Sequence, residues 1–222
     1  MTGWFQGTGE ILSALAAGDS WMLKEAMRES AIWPLGLTAM LALAVAFLIL
    51  YRVVPWAERN LEQSLMVVSY LAIGGIIFVE VIRRFVFEVQ APWSTTLPPF
   101  LFLIMTWFGC SYNVKLRTHL AFAEFRMAMP RVGQMACLIL DALLWIGFSW
   151  VVVVTATKVA VNSAANFQIM LGTDNVMQWW FLLSVPLAFT TLVARVIENL
   201  LADIANFRKG DTLVTQAVIG GD

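Results

Sequence analysis

Long apolar runs, each bordered by Trp, Pro or charged residues, recur along this chain. The run at 32–54 is apolar throughout except for Tyr51 and Arg52 at its end. At about 1.5 Å per residue it covers roughly 34 Å, enough for the hydrocarbon core of a bilayer. Pro34 falls in its first turn, where a missing N–H costs little, and Pro55-Trp56 stops it at the far interface. A second run, 61–86, starts behind Glu58, Arg59 and Glu62. Near its end Glu80 stands three and four residues ahead of Arg83 and Arg84, which puts acid and base on one helix face. That group reads either as an interface anchor whose arginines reach outward or as a substrate or ion contact.

The third run, 92–114, opens on Trp93, with Ser94 as a candidate cap. Pro98-Pro99 predict irregular or kinked first turns. Between 115 and 132, Leu116, Leu120, Phe122, Phe125 and Met129 interleave with Lys115, Arg117, Arg126 and Arg131, the pattern of an interfacial helix. The fourth and fifth runs are 134–157 and 177–201, the latter with a bend expected at Pro186. The stretch between them is Asn- and Ala-rich and ends in the turn signal Gly172-Thr173-Asp174. Ahead of the first run, Trp4, Phe5, Ile11, Leu12, Leu15, Trp21, Met22 and Met27 recur at roughly helical spacing, opposite Glu10, Lys24, Glu25, Arg28 and Glu29. Such a segment lies at headgroup level or on a partner's soluble face, and Asp19 or Ser20 can cap a second short helix within it. The tail after Asn206 lacks an apolar pattern and is expected to be mobile.

These patterns predict an all-α integral membrane protein with five transmembrane helices and interfacial amphipathic helices. Composition agrees: of 222 residues 60% are hydrophobic and 13% charged, with mean hydropathy +0.77. The start MTGWFQGTGE has no positive n-region, so no removable signal peptide is expected. A net charge of −1 gives no basic field for nucleic acid and leaves lipid and protein as the partners. With the N-terminus outside, the inner segments carry eight Lys and Arg (Arg52, Arg59, Lys115, Arg117, Arg126, Arg131, Arg208, Lys209). The outer ones then carry five (Lys24, Arg28, Arg83, Arg84, Lys158), so the bias predicts N-terminus out, C-terminus in.

The search for chemistry mostly returns absences. There is no H-E-x-x-H helix, G-x-S-x-G elbow or Walker loop, and a single histidine excludes bis-histidine haem ligation. Cys110 and Cys137 read as free buried thiols. His119, with Lys115 and Arg117, reads as a border residue at an inner interface or as a proton relay. Asp141 lies about 12 Å into the bilayer by helical rise and must be protonated, paired or faced toward protein. Arg195 and Glu198 descend toward the same side, so Asp141 and Arg195 are expected to pair, with Glu198 sharing the arginine at i, i+3; the alternative is an ion-coupling carboxylate. Seven of the ten Trp (Trp4, Trp21, Trp33, Trp56, Trp93, Trp179, Trp180) fall at span ends as an aromatic belt. Trp107, Trp145 and Trp150 lie deeper and face a partner, the chain's own helices or lipid. No inverted internal repeat of the kind found in carrier cores is visible.

Read together, several segments resemble the small membrane subunit of tripartite ATP-independent periplasmic transporters. Arg84-Phe85-Val86-Phe87 closes a long helix and Trp93-Ser94 opens the next. Trp107-Phe108-Gly109, the segment from Lys115 to His119-Leu120, Met129-Pro130 and Pro186 follow in family order. The resemblance covers roughly 56–203 and departs from the family at Thr95-Thr96 and Ala123-Glu124. It implies four parts: an amphipathic segment (1–31), an extra N-terminal span (32–55), a four-helix core (56–205) and a tail (206–222). It also implies a non-catalytic scaffold in the bacterial inner membrane that braces a large elevator-type subunit, with a periplasmic binding protein delivering a small organic acid anion. No cofactor is expected in this chain, and sodium is expected in the partner subunit. Trp93, Trp107, Gly109, Trp145 and Trp150 then become candidates for the partner interface. Two other classes stand beside this one: the membrane anchor of a redox complex, and a self-contained small carrier or channel.

Overall fold

The computed structural model describes residues 2–118, 126 and 128–213, with side chains described from Gln6 onward. Among them, five helices are long and apolar enough to cross a membrane and no strand forms beyond one isolated bridge, Ile169 with Met177. The protein is an all-α integral membrane protein.

Two short helices come first, α1 (Thr2–Ala17) and α2 (Ser20–Ala26). Gly18, at φ 67°, turns the chain between them, and the Asp19 carboxylate caps α2 by accepting from the N–H groups of Trp21 and Met22. Their inner faces, Ile11, Ala14 and Met27, are buried, and Ile11 and Met27 join Ala31, Ile32 and Val154 in a small core of their own. Leu12, Leu15, Trp21 and Met22 stay exposed beside it.

The first span, α3 (Ile32–Val53), is separated from α4 (Pro55–Val86) by Val54 alone, whose extended backbone makes the corner. Pro55 therefore opens the next helix rather than only stopping the last. The second span starts six residues earlier than its apolar run, because Pro55 at the first helical position needs no N–H partner. α5 (Trp93–Leu116) continues through Pro98 and Pro99. The irregular opening expected there is absent: both prolines lie in the first two turns, where only the carbonyls of Ser94 and Thr95 lose a donor. Ser94 is not the cap either, since its hydroxyl donates backward to the Ala91 carbonyl. Of the expected interfacial helix of 115–132, residues 119–125 and 127 lie outside the described ones, while 115–116 end α5 and 131–132 begin the next long helix.

α6 (Arg131–Ala165) runs beyond its apolar stretch at both ends. A short helix, α7 (Trp179–Leu182), then leads into α8 (Ser184–Lys209). Pro186 sits in the first turn of α8, four residues after Leu182, and leaves that carbonyl without a helical donor; the span Trp179–Lys209 is accordingly interrupted at Leu183, beside the proline where a bend was expected. The C-terminal boundary also moves: α8 passes Asn206 to Lys209, Gly210 at φ 90° ends it, and Leu213 is buried.

In packing, α4 lies on α5, α5 on α8 and α8 on α6, while α3 touches α4, α6 and α8. α8 is thus the central helix, and its residues from Ala188 to Val196 are buried on every side.

Candidate functional site

The most buried charges lie near the sequence-predicted inner ends of α3, α4, α5 and α8. Arg195, on α8, is 1% exposed, and Glu62, two turns into α4, is 0% exposed. The guanidinium grips the carboxylate with two edges: Nε donates to Oε1 at 2.8 Å and Nη2 to Oε2 at 3.1 Å. Nη1 donates to Glu198 Oε2 at 2.8 Å, and Nη2 also reaches the Glu58 carbonyl at 2.7 Å. The Tyr51 hydroxyl, at the end of α3, donates to Glu62 Oε1 at 2.8 Å, and the Arg195 guanidinium lies 3.9 Å from the Tyr51 ring centroid. Bidentate Arg–carboxylate geometry and a stacked aromatic fix the guanidinium plane.

A second tier surrounds this one. Lys115 Nζ, on α5, donates to the carbonyls of Glu58 and Arg59 and stands 3.7 Å from the Glu58 carboxylate. Arg117, in the left-handed conformation that ends α5, donates to Asp203 Oδ1 at 2.7 Å and to the Asn199 carbonyl at 3.0 Å. Asn199 Nδ2 in turn donates to the Val114 carbonyl at 2.9 Å. Charges that are costly in a membrane are thus neutralised between helices. The chemistry this arrangement supports is fixation of helix depth and rotation.

The expected Asp141–Arg195 pair does not form. Asp141 lies 3.7 Å from Arg126, both partly exposed, while Arg195 takes Glu62. Depth along a helix can be counted from the sequence, but the side toward which a residue points depends on packing. α8 turns Arg195 toward α4, not α6. The i, i+3 share with Glu198 does form. Glu62 and Tyr51 were not singled out as site residues, although Glu58 and Glu62 stand four apart on one face and so were a readable double acid.

At the opposite end, Glu80 forms no ion pair with Arg83 or Arg84 among the described residues. Its Oε1 instead accepts from the Ala91 N–H at 3.1 Å and closes the loop to α5. Trp93 starts α5, partly exposed. Trp107 stacks on Phe189 at 4.9 Å, and Trp150 donates its indole N–H to the Trp33 carbonyl at 2.8 Å. Trp145 packs against the main core, and Gly109 lets Met66 of α4 approach α5, since a Cβ there would stand 3.2 Å from its sulfur. The three deep Trp therefore make contacts inside the chain. His119 lies outside the described residues. Among the described residues no cluster of three His, Cys, Asp or Glu could hold a metal ion.

Comparison with known families gives one match. The model of the tripartite ATP-independent periplasmic transporters, DctQ component, covers residues 73–206, from the middle of α4 nearly to the end of α8. No curated protein matches the chain significantly. The matched region spans well over half of the 222 residues and contains Arg195, Glu198 and Asp203. On that match the chain belongs to the DctQ component family of tripartite ATP-independent periplasmic transporters.

Proposed function

We propose that this chain is the non-catalytic small membrane subunit of a binding-protein-dependent secondary transporter. In this reading it braces a large, elevator-type membrane subunit in the bacterial inner membrane, with its N-terminus periplasmic and its C-terminus cytoplasmic. The large subunit holds the substrate and sodium sites, and a periplasmic protein delivers a small organic acid anion. The observation that carries the reading is the Arg195 network. Its buried charges are spent on one another, tying α3, α4 and α8 into one body, which is the chemistry of a stationary brace. The Lys and Arg bias toward the inner segments supports the orientation.

The test is reconstitution into proteoliposomes with an inward sodium gradient and labelled organic acids. Uptake is expected only when this chain, a co-expressed large subunit and the binding protein are all present. Uptake by this chain alone would overturn the brace, and uptake independent of sodium would overturn the coupling.

A further inference from the structure

The sequence-predicted inner segments carry eight Lys and Arg, and four of them are taken up inside the chain. Lys115 and Arg117 are held as described above, Arg126 stands 3.7 Å from Asp141, and Arg131 Nη2 donates to the Asp211 carbonyl at 3.0 Å. Arg208 and Lys209 close the last turn of α8, about 20 Å beyond Arg195 by helical rise. Arg52 and Arg59 remain. Both are exposed, and among the described residues neither guanidinium has a partner.

These two arginines flank one corner. Arg52 lies in the last turn of α3, Val54 makes the turn, and Arg59 stands in the second turn of α4. By chain length their Cα atoms are at most about 16 Å apart. The two arms are pinned together by the hydrogen bond from Tyr51, next to Arg52, to Glu62, three residues past Arg59. Between the arginines Val53 is 72% exposed and Trp56 60%, and the Trp56 indole N–H has no partner among the described residues. α3 has 22 residues, so by helical rise it covers about 33 Å and its last turn reaches the edge of the hydrocarbon core.

Cations, an indole and an apolar group interleaved at that depth select their occupant. Bulk water would leave Val53 and Trp56 uncovered, and acyl chains alone would leave two guanidiniums unsolvated. A headgroup layer meets both needs, since the apolar groups reach toward the chains while the guanidiniums and the indole N–H donate to phosphate. A zwitterionic headgroup brings its own cation, whereas an anionic one leaves its charge to the arginines. Nearby acids do not compete: Glu58 is turned to Lys115 and Arg195, and Glu62 is enclosed.

We propose that the α3–α4 corner is a binding site for the headgroup of an anionic phospholipid, with Arg52 and Arg59 as its phosphate contacts and Trp56 at its base. The bound headgroup holds Tyr51 and Glu62, which leave the same corner, at one depth beside Arg195. Its assignment to the inner leaflet rests on the orientation proposed above; the binding itself does not.

The test uses the full chain in bilayers that mix dioleoyl phosphatidylcholine with dioleoyl phosphatidylglycerol, where one lipid or the other carries brominated acyl chains that quench nearby Trp. The signal of Trp56 is the difference between the wild type and Trp56→Phe. Its quenching is expected to report a local preference for phosphatidylglycerol of at least about fivefold. Arg52→Gln combined with Arg59→Gln should bring that preference below about twofold, and so should about 0.5 M NaCl acting on the unmutated chain. Arg208→Gln combined with Lys209→Gln should change it less than about twofold, because those cations stand beyond the border. A wild-type preference below about twofold, or an equal loss in the two double variants, would overturn the site. So would the absence of quenching by either lipid, which would mean that protein covers the corner. None of these readouts involves the large subunit, so the brace stands or falls separately.

Discussion

Replacing Glu62 by Gln tests the central claim about the Arg195 network, because it keeps the shape of the side chain and removes only its charge. In the native chain the 0% exposed carboxylate receives two guanidinium bonds and the Tyr51 hydroxyl. An amide oxygen in place of Oε1 can still accept from Arg195 Nε and the Tyr51 hydroxyl, but the NH2 in place of Oε2 then faces the donor Nη2. Arg195, 1% exposed, is left with Glu198, which is 45% exposed at its side chain, and with Glu58 at 4.0 Å. Removing one partner of a buried ion pair costs about 3–5 kcal/mol. For a chain of this size each kcal/mol lowers the unfolding midpoint by about 2–4 °C, so a loss of roughly 6–20 °C is expected. The assay is thermal unfolding in detergent followed by intrinsic Trp fluorescence. The control is the triple variant Glu62→Leu, Arg195→Met and Tyr51→Phe, which removes the buried charges together and should recover to within about 2 kcal/mol of wild type, since apolar substitutes for a buried pair are often neutral. A shift below about 3 °C for Glu62→Gln, or a triple variant no more stable than the single one, would refute the reasoning.

Other perturbations separate the remaining contacts. Asp141→Asn should cost less than Glu62→Gln in the same assay, because Asp141 and Arg126 stand 3.7 Å apart and are both partly exposed whereas Glu62 and Arg195 are enclosed; a loss as large as that of Glu62→Gln would restore Asp141 as a buried anchor. Gly172→Ala should destabilise by about 1–3 kcal/mol, since φ is +80° there and the added carbon would stand 2.6 Å from the Trp93 nitrogen. The effect should show as faster hydrogen exchange across 166–178, where Thr96 donates to the Leu171 carbonyl. Trp150→Phe keeps an aromatic ring but removes the indole N–H that α6 donates to the Trp33 carbonyl of α3, lowering the midpoint by an amount equivalent to about 1 kcal/mol.

The five spans were legible because a bilayer demands about twenty apolar residues per crossing, and no other arrangement of these runs satisfies their backbones. Their ends were less so. Helices continue into the interface wherever no residue forbids it, so α6 gains turns at both ends and α8 reaches Gly210 before stopping. Prolines interrupt less than their chemistry suggests: α5 continues through Pro98 and Pro99 although the carbonyls of Ser94 and Thr95 lose their donors, whereas the fifth span does break at Leu183, beside Pro186. The site was half legible. Arg195 and Glu198 were found because charge inside an apolar run is conspicuous, while Glu62 was passed over because an acid near a span border looks ordinary. What moved it into the core is the long interfacial reach of α4, which begins at Pro55 and lays Glu58 and Glu62 against α8.

That placement bears on how the N-terminal part relates to the family region. The family match begins at residue 73, yet three of the groups that satisfy Arg195 (Tyr51, Glu58 and Glu62) precede it. Without them the matched region would hold a guanidinium in its most enclosed helix with only Glu198 to compensate it. The span α3, which precedes the family match, is therefore part of the core, bound by Tyr51 at one end and by the Trp150–Trp33 hydrogen bond at the other. Apolar helices in lipid have little hydrophobic reason to hold one register, because acyl chains solvate them as well as a neighbour does. Register must come from small residues that admit close contact and from polar groups with a single good geometry. Here Gly109 admits Met66 and Gly36 admits Val154, while the Arg195–Glu62 pair fixes α4 against α8. In the proposed role of a stationary brace, that kind of fixation matters more than affinity between the helices.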